Sequence, residues 1–220
     1  MPFVDFVSDI HRKTTRNYLE RVVKHDKAHC AEVARRFGFD YWDGDRKYGY
    51  GGYVYDGRWR PVAEKLAAHY DLAAGSRVLD VGCGKGFLLY DLTKAVPGVE
   101  VAGIDISRYA VKNAKEEISP FLQVASATRL PFADGSFDLV VAINTLHNLY
   151  IYELEAALRE LERVSRRHKY VVVDSYRNAR EKVNLLYWQI TCECFFTPEE
   201  WEWLFRQSGY IGDYSYVFFE

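Results

Sequence analysis

From Arg77 onward the sequence alternates short apolar runs with amphipathic ones, and this rhythm constrains the fold more than any other feature. "RVLDVG" is a brief apolar strand closed by glycine, and "KGFLLYDLTKAV" reads as a helix. "VEVAGID" is a second strand, after which Ser107 can cap the helix "RYAVKNAKEEI". "FLQVAS" is a third strand. "FDLVVAIN" is a fourth, continuously apolar as a strand covered on both faces should be. A helix from about Tyr152 to Arg166 leads to "KYVVVDSY", the fifth strand, and "DYSYVFFE" finishes as a sixth. Strands alternating with helices imply an α/β fold with a doubly wound, mostly parallel sheet and right-handed crossovers. Such sheets bind ligands beyond the carboxyl ends of their strands, where strand order reverses.

The flanking segments divide the chain into residues 1–60, a helical cap with a Tyr/Gly-rich lid, and residues 61–220, the sheet domain with a helical insertion at about 176–195. Ser8 to about Phe37 reads as helix, broken near Asp26, with Gly38 as its stop. Its Lys and Arg residues read as a solvated face. "RKYGYGGYVYDGRW", Arg46–Trp59, holds four tyrosines and four glycines, flexible joints beside flat amphipathic surfaces. Pro61 opens a short helix through about His69. In the insertion, Val183, Leu186, Tyr187 and Ile190 fall on one helical side. Thr197-Pro198-Glu199-Glu200 is a capping box before the last helix.

Composition narrows the function. With 29 basic and 31 acidic residues interspersed, no broad electrostatic grip on nucleic acid is expected. No run approaches the roughly 18 apolar residues of a membrane span. "MPFVDFVSDIHRK" lacks the basic and apolar regions of a secretory signal. Cys30, Cys83, Cys192 and Cys194 form neither a disulfide framework nor a paired metal motif, which fits a reducing, cytoplasmic setting.

The chemistry concentrates after the first strand. In "VLDVGCGKGF", Gly82, Gly84 and Gly86 let a ligand approach the backbone at a helix start. The third glycine comes one residue earlier than in the G-x-G-x-x-G of pyrophosphate-binding dinucleotide enzymes. Asp80, just before the loop, suits a cationic amino group. Asp105 ends the second strand, where a carboxylate can accept from both hydroxyls of a ribose. "TRLPFADGSFDLVVAINTLHNL" is more distinctive still.

With these segments the chain resembles the class I S-adenosylmethionine-dependent methyltransferases, particularly those acting on small molecules, over about Pro61–Asp174. The resemblance implies a Rossmann-like methyltransferase fold, S-adenosyl-L-methionine as cofactor and a small-molecule acceptor. It implies that Asp80, Gly82, Cys83 and Gly84 line the methionine and ribose portion, that Asp105 binds the ribose hydroxyls and that Ile106 packs on adenine. Ala127 and Thr128 would meet the adenine edge, and Asn144 would border the sulfonium. The chain departs from the family pattern at Ser126, where an aspartate is frequent, and at "SRRHKY", where a Lys-Pro-Gly-Gly turn is frequent.

His147 follows the fourth strand and is the candidate general base for a hydroxyl acceptor, since a histidine titrates near neutrality. The alternative is that it packs beside the cofactor. Tyr50, Tyr53, Tyr55, Arg58, Tyr176 and Arg177 are candidates for the acceptor pocket, with a sugar-like hydroxyl compound as the favoured class. Arg46, Lys47 and Arg58 can hold an anionic acceptor or the cofactor carboxylate. Trp188, Trp201 and Trp203 read as core or interface. Two other functions stay open: a methyltransferase acting on protein or nucleic acid, and a cofactor-binding protein without catalysis.

Overall fold

The computed structural model describes residues 1–12 and 14–220. Six strands form one parallel sheet: β1 (Arg77–Val81), β2 (Glu100–Asp105), β3 (Leu122–Val124), β4 (Phe137–Ile143), β5 (Ser165–Asp174) and β6 (Asp213–Val217). Their spatial order is β3-β2-β1-β4-β5-β6, and every pairing is parallel. The order reverses between β1 and β4, so a crevice is expected beyond their carboxyl ends.

Ten helices accompany the sheet among the described residues. Four precede residue 60: α1 (Ser8–Arg12), α2 (Tyr18–Val23), α3 (Lys27–Ala34) and α4 (Phe39–Trp42). The others are α5 (Arg60–His69), α6 (Phe87–Ala95), α7 (Arg108–Lys112), α8 (Ile151–Val164), α9 (Ala179–Trp188) and α10 (Pro198–Gln207).

Alternation along the central strands builds two cores. Val78, Leu139, Val141, Tyr170 and Val172 face α5 and α6, packing against Leu66, Leu88 and Leu92. The intervening Leu79, Val140, Val171 and Val173 face α8 and α10, against Leu158, Leu161, Trp201 and Phe205. Strands buried on both faces are continuously apolar for this reason. At the start of β4, Asp138 receives Arg166 through two charge-assisted bonds of 2.6–2.7 Å and accepts from the Arg77 N–H at 2.9 Å, tying β4 to β1 and β5. Arg166 holds its carboxyl down at about 2.

Several local expectations need correction. The long N-terminal helix is three short ones, because Asn17 and Asp26 each cap a new start. Phe37, not Gly38, takes the left-handed conformation (φ 47°), and Gly38 instead precedes α4. The helix after Ser107 lasts five residues. The helix expected to reach Arg166 ends at Val164, and β5 begins at Ser165 rather than at Lys169. On α9 the buried residues are Glu181 and Leu185, while Val183 and Leu186 are exposed. Arg177 draws Glu181 inward across one turn, with a bond of 2.8 Å from its N–H, and this rotates the apolar side away.

The segment before residue 60 crosses the carboxyl edge of the sheet. Trp42 donates to Ser107 Oγ at 2.9 Å. Asp43 receives Lys85 Nζ at 2.7 Å, the Tyr109 hydroxyl at 2.8 Å and the Tyr53 N–H at 3.0 Å. Lys85, between two glycines of the loop after β1, is thus a clamp on this segment. The rings of Trp42 and Tyr50 stack at 5.2 Å, and those of Tyr53 and Phe87 at 4.9 Å.

Candidate functional site

Two cavities open side by side at the carboxyl edge. The first, of about 320 Å³, lies over the β1 turn and the ends of β2 and β4. Its glycines cannot be replaced. Gly82 has φ 84°, and a Cβ there would lie 2.1 Å from Thr145 Oγ1. Gly84 has φ 55°, and its Cβ would lie 2.8 Å from the Trp42 ring. Left-handed backbone and close neighbours together exclude any side chain.

Asp80, Gly82, Cys83, Gly84, Asp105, Ile106, Ala127 and Asn144 all line this cavity. Thr128 does not. Its hydroxyl pairs with Ser126 Oγ at 2.8 Å, and Ser126 takes the wall position. Asp105 accepts from the Gly84 N–H at 2.7 Å and the Ser107 N–H at 2.8 Å, so its carboxylate is fixed at the strand end. Asp80 is buried, and among the described residues no hydrogen bond or ion pair holds its carboxylate. Burial, and then the charge of Asp105, raise its pKa to about 8. A buried carboxylate in this condition favours a cationic ligand group. The exposed Ile106 provides apolar surface at the same edge. These features fit the amino group, ribose and adenine of an adenosyl amino acid.

The second cavity, about 220 Å³, lies between the N-terminal segment, the Tyr/Gly loop, β5 and α9. Tyr41, Tyr50, Tyr53, Trp59, Asn144 and Asn148 line both cavities and form their common wall. Tyr50 is 40% exposed, and what it exposes is this wall. Asn144 adopts φ 56°, a conformation uncommon outside glycine, and its Oδ1 is buried without a partner. Its amide lies 3.1 Å from His11 Nε2, and burial lowers the His11 pKa to about 4.

Of the expected acceptor-pocket residues, Tyr50, Tyr53 and Arg58 line this second cavity, but Arg58 is already bound by Asp56 at 2.7–2.9 Å. Tyr55 turns away, donating to Asp91 at 2.7 Å. Tyr176 packs in the core beside α9, and Arg177 pairs with Glu181 and Glu220 at the surface. Neither lines either of these two cavities. Trp201 is fully buried, Trp203 is exposed and Trp188 forms cavity wall.

His147 sits in the second cavity wall, 2% exposed. The Asp174 N–H donates to its Nδ1 at 3.1 Å. In the neutral ring the proton therefore resides on Nε2, which lies 3.3 Å from Asp174 Oδ2. A ring in this tautomer offers a donor where a general base needs a lone pair, so this geometry does not favour His147 as the base. Asp174 lines the same cavity, with Gln189 also donating to Oδ2. Burial raises its pKa, against the opposing charge of His147.

Sequence reasoning missed Trp42, Asp43, His11, Arg16 and Arg21. The first two reach the site through a loop connection, and the others lay in a stretch read as solvated.

Residues 79–173 match the family model of the methyltransferase domain. Together with the parallel sheet and the glycine turn, this makes the segment a class I S-adenosylmethionine-dependent methyltransferase domain. The chain is 33% identical over 117 residues to a ubiquinone/menaquinone biosynthesis C-methyltransferase of Geotalea uraniireducens, covering 50% of this chain and 48% of that protein. It is 34% identical over 96 residues to a malonyl-[acyl-carrier protein] O-methyltransferase of Legionella pneumophila, covering 41% and 33%. It thus spans about half or less of the length of these curated relatives. In fold it is similar to a chain of the Haloferax volcanii complex of the Trm112 methyltransferase activator with a methyltransferase (TM-score 0.57, 24% identity, 85% and 77% covered). It is also similar to the YcgJ protein of Bacillus subtilis (TM-score 0.54, 23% identity, 66% of each chain).

Proposed function

We propose that this protein methylates an oxygen of a small polar acceptor, with S-adenosyl-L-methionine in the first cavity and the acceptor in the second. The observation that carries this reading is the common wall: a cofactor-shaped cavity meets a second, polar one that holds a buried carboxylate. When bound, the cofactor supplies an electrophilic methyl group on a sulfonium.

Asp80 would pair with its amino group, Asp105 would accept from its ribose, and Ile106 with Ala127 would flank the adenine. Asn144 and the tyrosines of the common wall would align the acceptor and exclude water, the main requirements of an in-line displacement. The Tyr/Gly loop, clamped by Asp43 and Lys85, would act as the lid. Asp174 would take the hydroxyl proton, since burial raises its basicity, while His147 and Gln189 orient it.

Curated relatives include C- as well as O-methyltransferases, and this favours a second reading in which Asp174 deprotonates an acidic carbon. Transfer of labelled methyl to a pool of polar metabolites, with NMR of the product, tests both. Asp174→Asn is expected to lower kcat by about a hundredfold or more. His147→Gln should give a smaller loss and keep an acidic limb in the pH profile, the limb that reports ionisation of the base. Equal losses with the same profile would contradict the assignment of the base.

A further inference from the structure

Arg16, Arg21 and Arg46 all line the second cavity and converge on one indole, with guanidinium carbons 5.5, 4.8 and 5.1 Å from the Trp188 ring. Among the described residues no carboxylate lies within salt-bridge distance of any of them. Backbone carbonyls receive them, His11 O at 3.1 Å for Arg16, Arg46 O at 3.4 Å for Arg21 and Gly49 O for Arg46, and Arg16 also bonds the Tyr18 hydroxyl and feels the charge of Asp174. The Nε–H groups of Arg16 and Arg21 are buried without partners. Burial lowers the pKa of all three, and the neighbouring Arg46 helps bring Arg21 to about 10. They remain charged at neutral pH.

Among the described residues the only carboxylate lining this cavity is Asp174, which already faces His147 and Gln189. Arg58 is neutralised by Asp56. Three guanidiniums against one carboxylate leave a surplus of two positive charges. Cation–π contact with Trp188 holds the cluster together but adds no counter-charge. A single carboxylate is satisfied by one bidentate arginine, whereas a phosphate presents three terminal oxygens and close to two negative charges.

We infer that the acceptor carries a phosphate group, as a monoester or a diphosphate, and that Arg16, Arg21 and Arg46 receive it beside Trp188. This deepens the function proposed above and rests on it for the second cavity being the acceptor site. It narrows the acceptor class from a small polar compound to a phosphorylated one. It also gives the N-terminal segment a role in specificity, because Arg16 and Arg21 belong to that segment.

Calorimetric titration of protein loaded with S-adenosylhomocysteine tests this, using pyrophosphate and inorganic phosphate as probes and succinate as the carboxylate control. Pyrophosphate or phosphate should bind saturably, and the tighter of the two tells diphosphate from monoester. Succinate should bind at least ten times more weakly. Arg21→Gln and Arg46→Gln should each weaken the phosphate probe by about tenfold or more, as expected for loss of a charge-assisted bond. Arg177→Gln should not change it. S-adenosylhomocysteine affinity, measured for every variant, should stay at the wild-type value, which shows that the fold and the first cavity are intact. Phosphate-probe affinity that is unchanged in both variants, or matched by succinate, would overturn the inference. Should S-adenosylhomocysteine not bind at all, the proposed function fails, and the same titration on ligand-free protein still decides whether the arginines form an anion site.

Discussion

Asp80 offers a quantitative test of the first cavity. Its carboxyl is 4% exposed, lies beside Asp105 and titrates near pH 8. The pKa is raised, so the proton stabilises the folded, ligand-free protein, and that contribution is lost as pH rises from the ordinary carboxylate range through 8. A cationic ligand group needs the ionised form. With its pKa at about 8, only a minor fraction of Asp80 is ionised at pH 7 and almost none at pH 5.5, and apparent affinity rises with that fraction. With a charge-assisted bond worth roughly 10- to 100-fold in affinity, S-adenosylhomocysteine should therefore bind about two- to eightfold more tightly at pH 7 than at pH 5.5. In Asp80→Asn this slope should vanish. The two proteins should bind nearly alike at pH 5.5 and diverge as pH rises, by roughly 5- to 50-fold at pH 8, where about half of Asp80 is ionised. The same variant should melt at a higher temperature than wild type without ligand above pH 8. Calorimetry across the pH range gives the affinities, and thermal denaturation gives the stability. A wild-type affinity that is flat between pH 5.5 and 7, or an Asn variant that keeps the slope, would refute the role of Asp80.

Other consequences are direct. Asp43→Asn leaves the buried Lys85 ammonium without its counter-charge and should lower unfolding free energy in urea by about 3 kcal/mol, with weaker S-adenosylhomocysteine binding. Gly82→Ala meets Thr145 and forces a left-handed alanine, so a loss of about 2 kcal/mol or more is expected. Adding Thr145→Ala should recover only part of it, because the backbone strain stays. Leu158→Ala, in the core under α8, should destabilise by about 2–5 kcal/mol while leaving ligand affinity unchanged.

Much of the sheet and the first cavity was legible in the sequence because each depends on local pattern. Apolar runs, most of them bounded by glycine or an acid, marked all six strands. Gly82, Asp105 and Asn144 lie at strand ends, where topology dictates that a ligand binds. The second cavity was harder to read, because Arg16, Arg21, Arg46 and Trp188 meet only through tertiary packing across more than a hundred residues of chain. In sequence the two arginines of the cap resemble any solvated pair. The tautomer of His147 is likewise fixed by the N–H of Asp174, a contact that no motif records. Tyr55 and Arg177 were drawn toward the site by proximity in sequence, while Asp91 and Glu181 hold them elsewhere.

The central claim is that the crevice beyond β1, β2 and β4 holds an adenosyl amino acid. Titrating the purified protein with S-adenosylhomocysteine and, separately, with NAD measures this most directly. One-to-one saturable heat with the first, none with the second, and a large loss of affinity in Asp105→Ala are the expected results. Silence with S-adenosylhomocysteine at millimolar concentration, or equal binding of NAD, would contradict it.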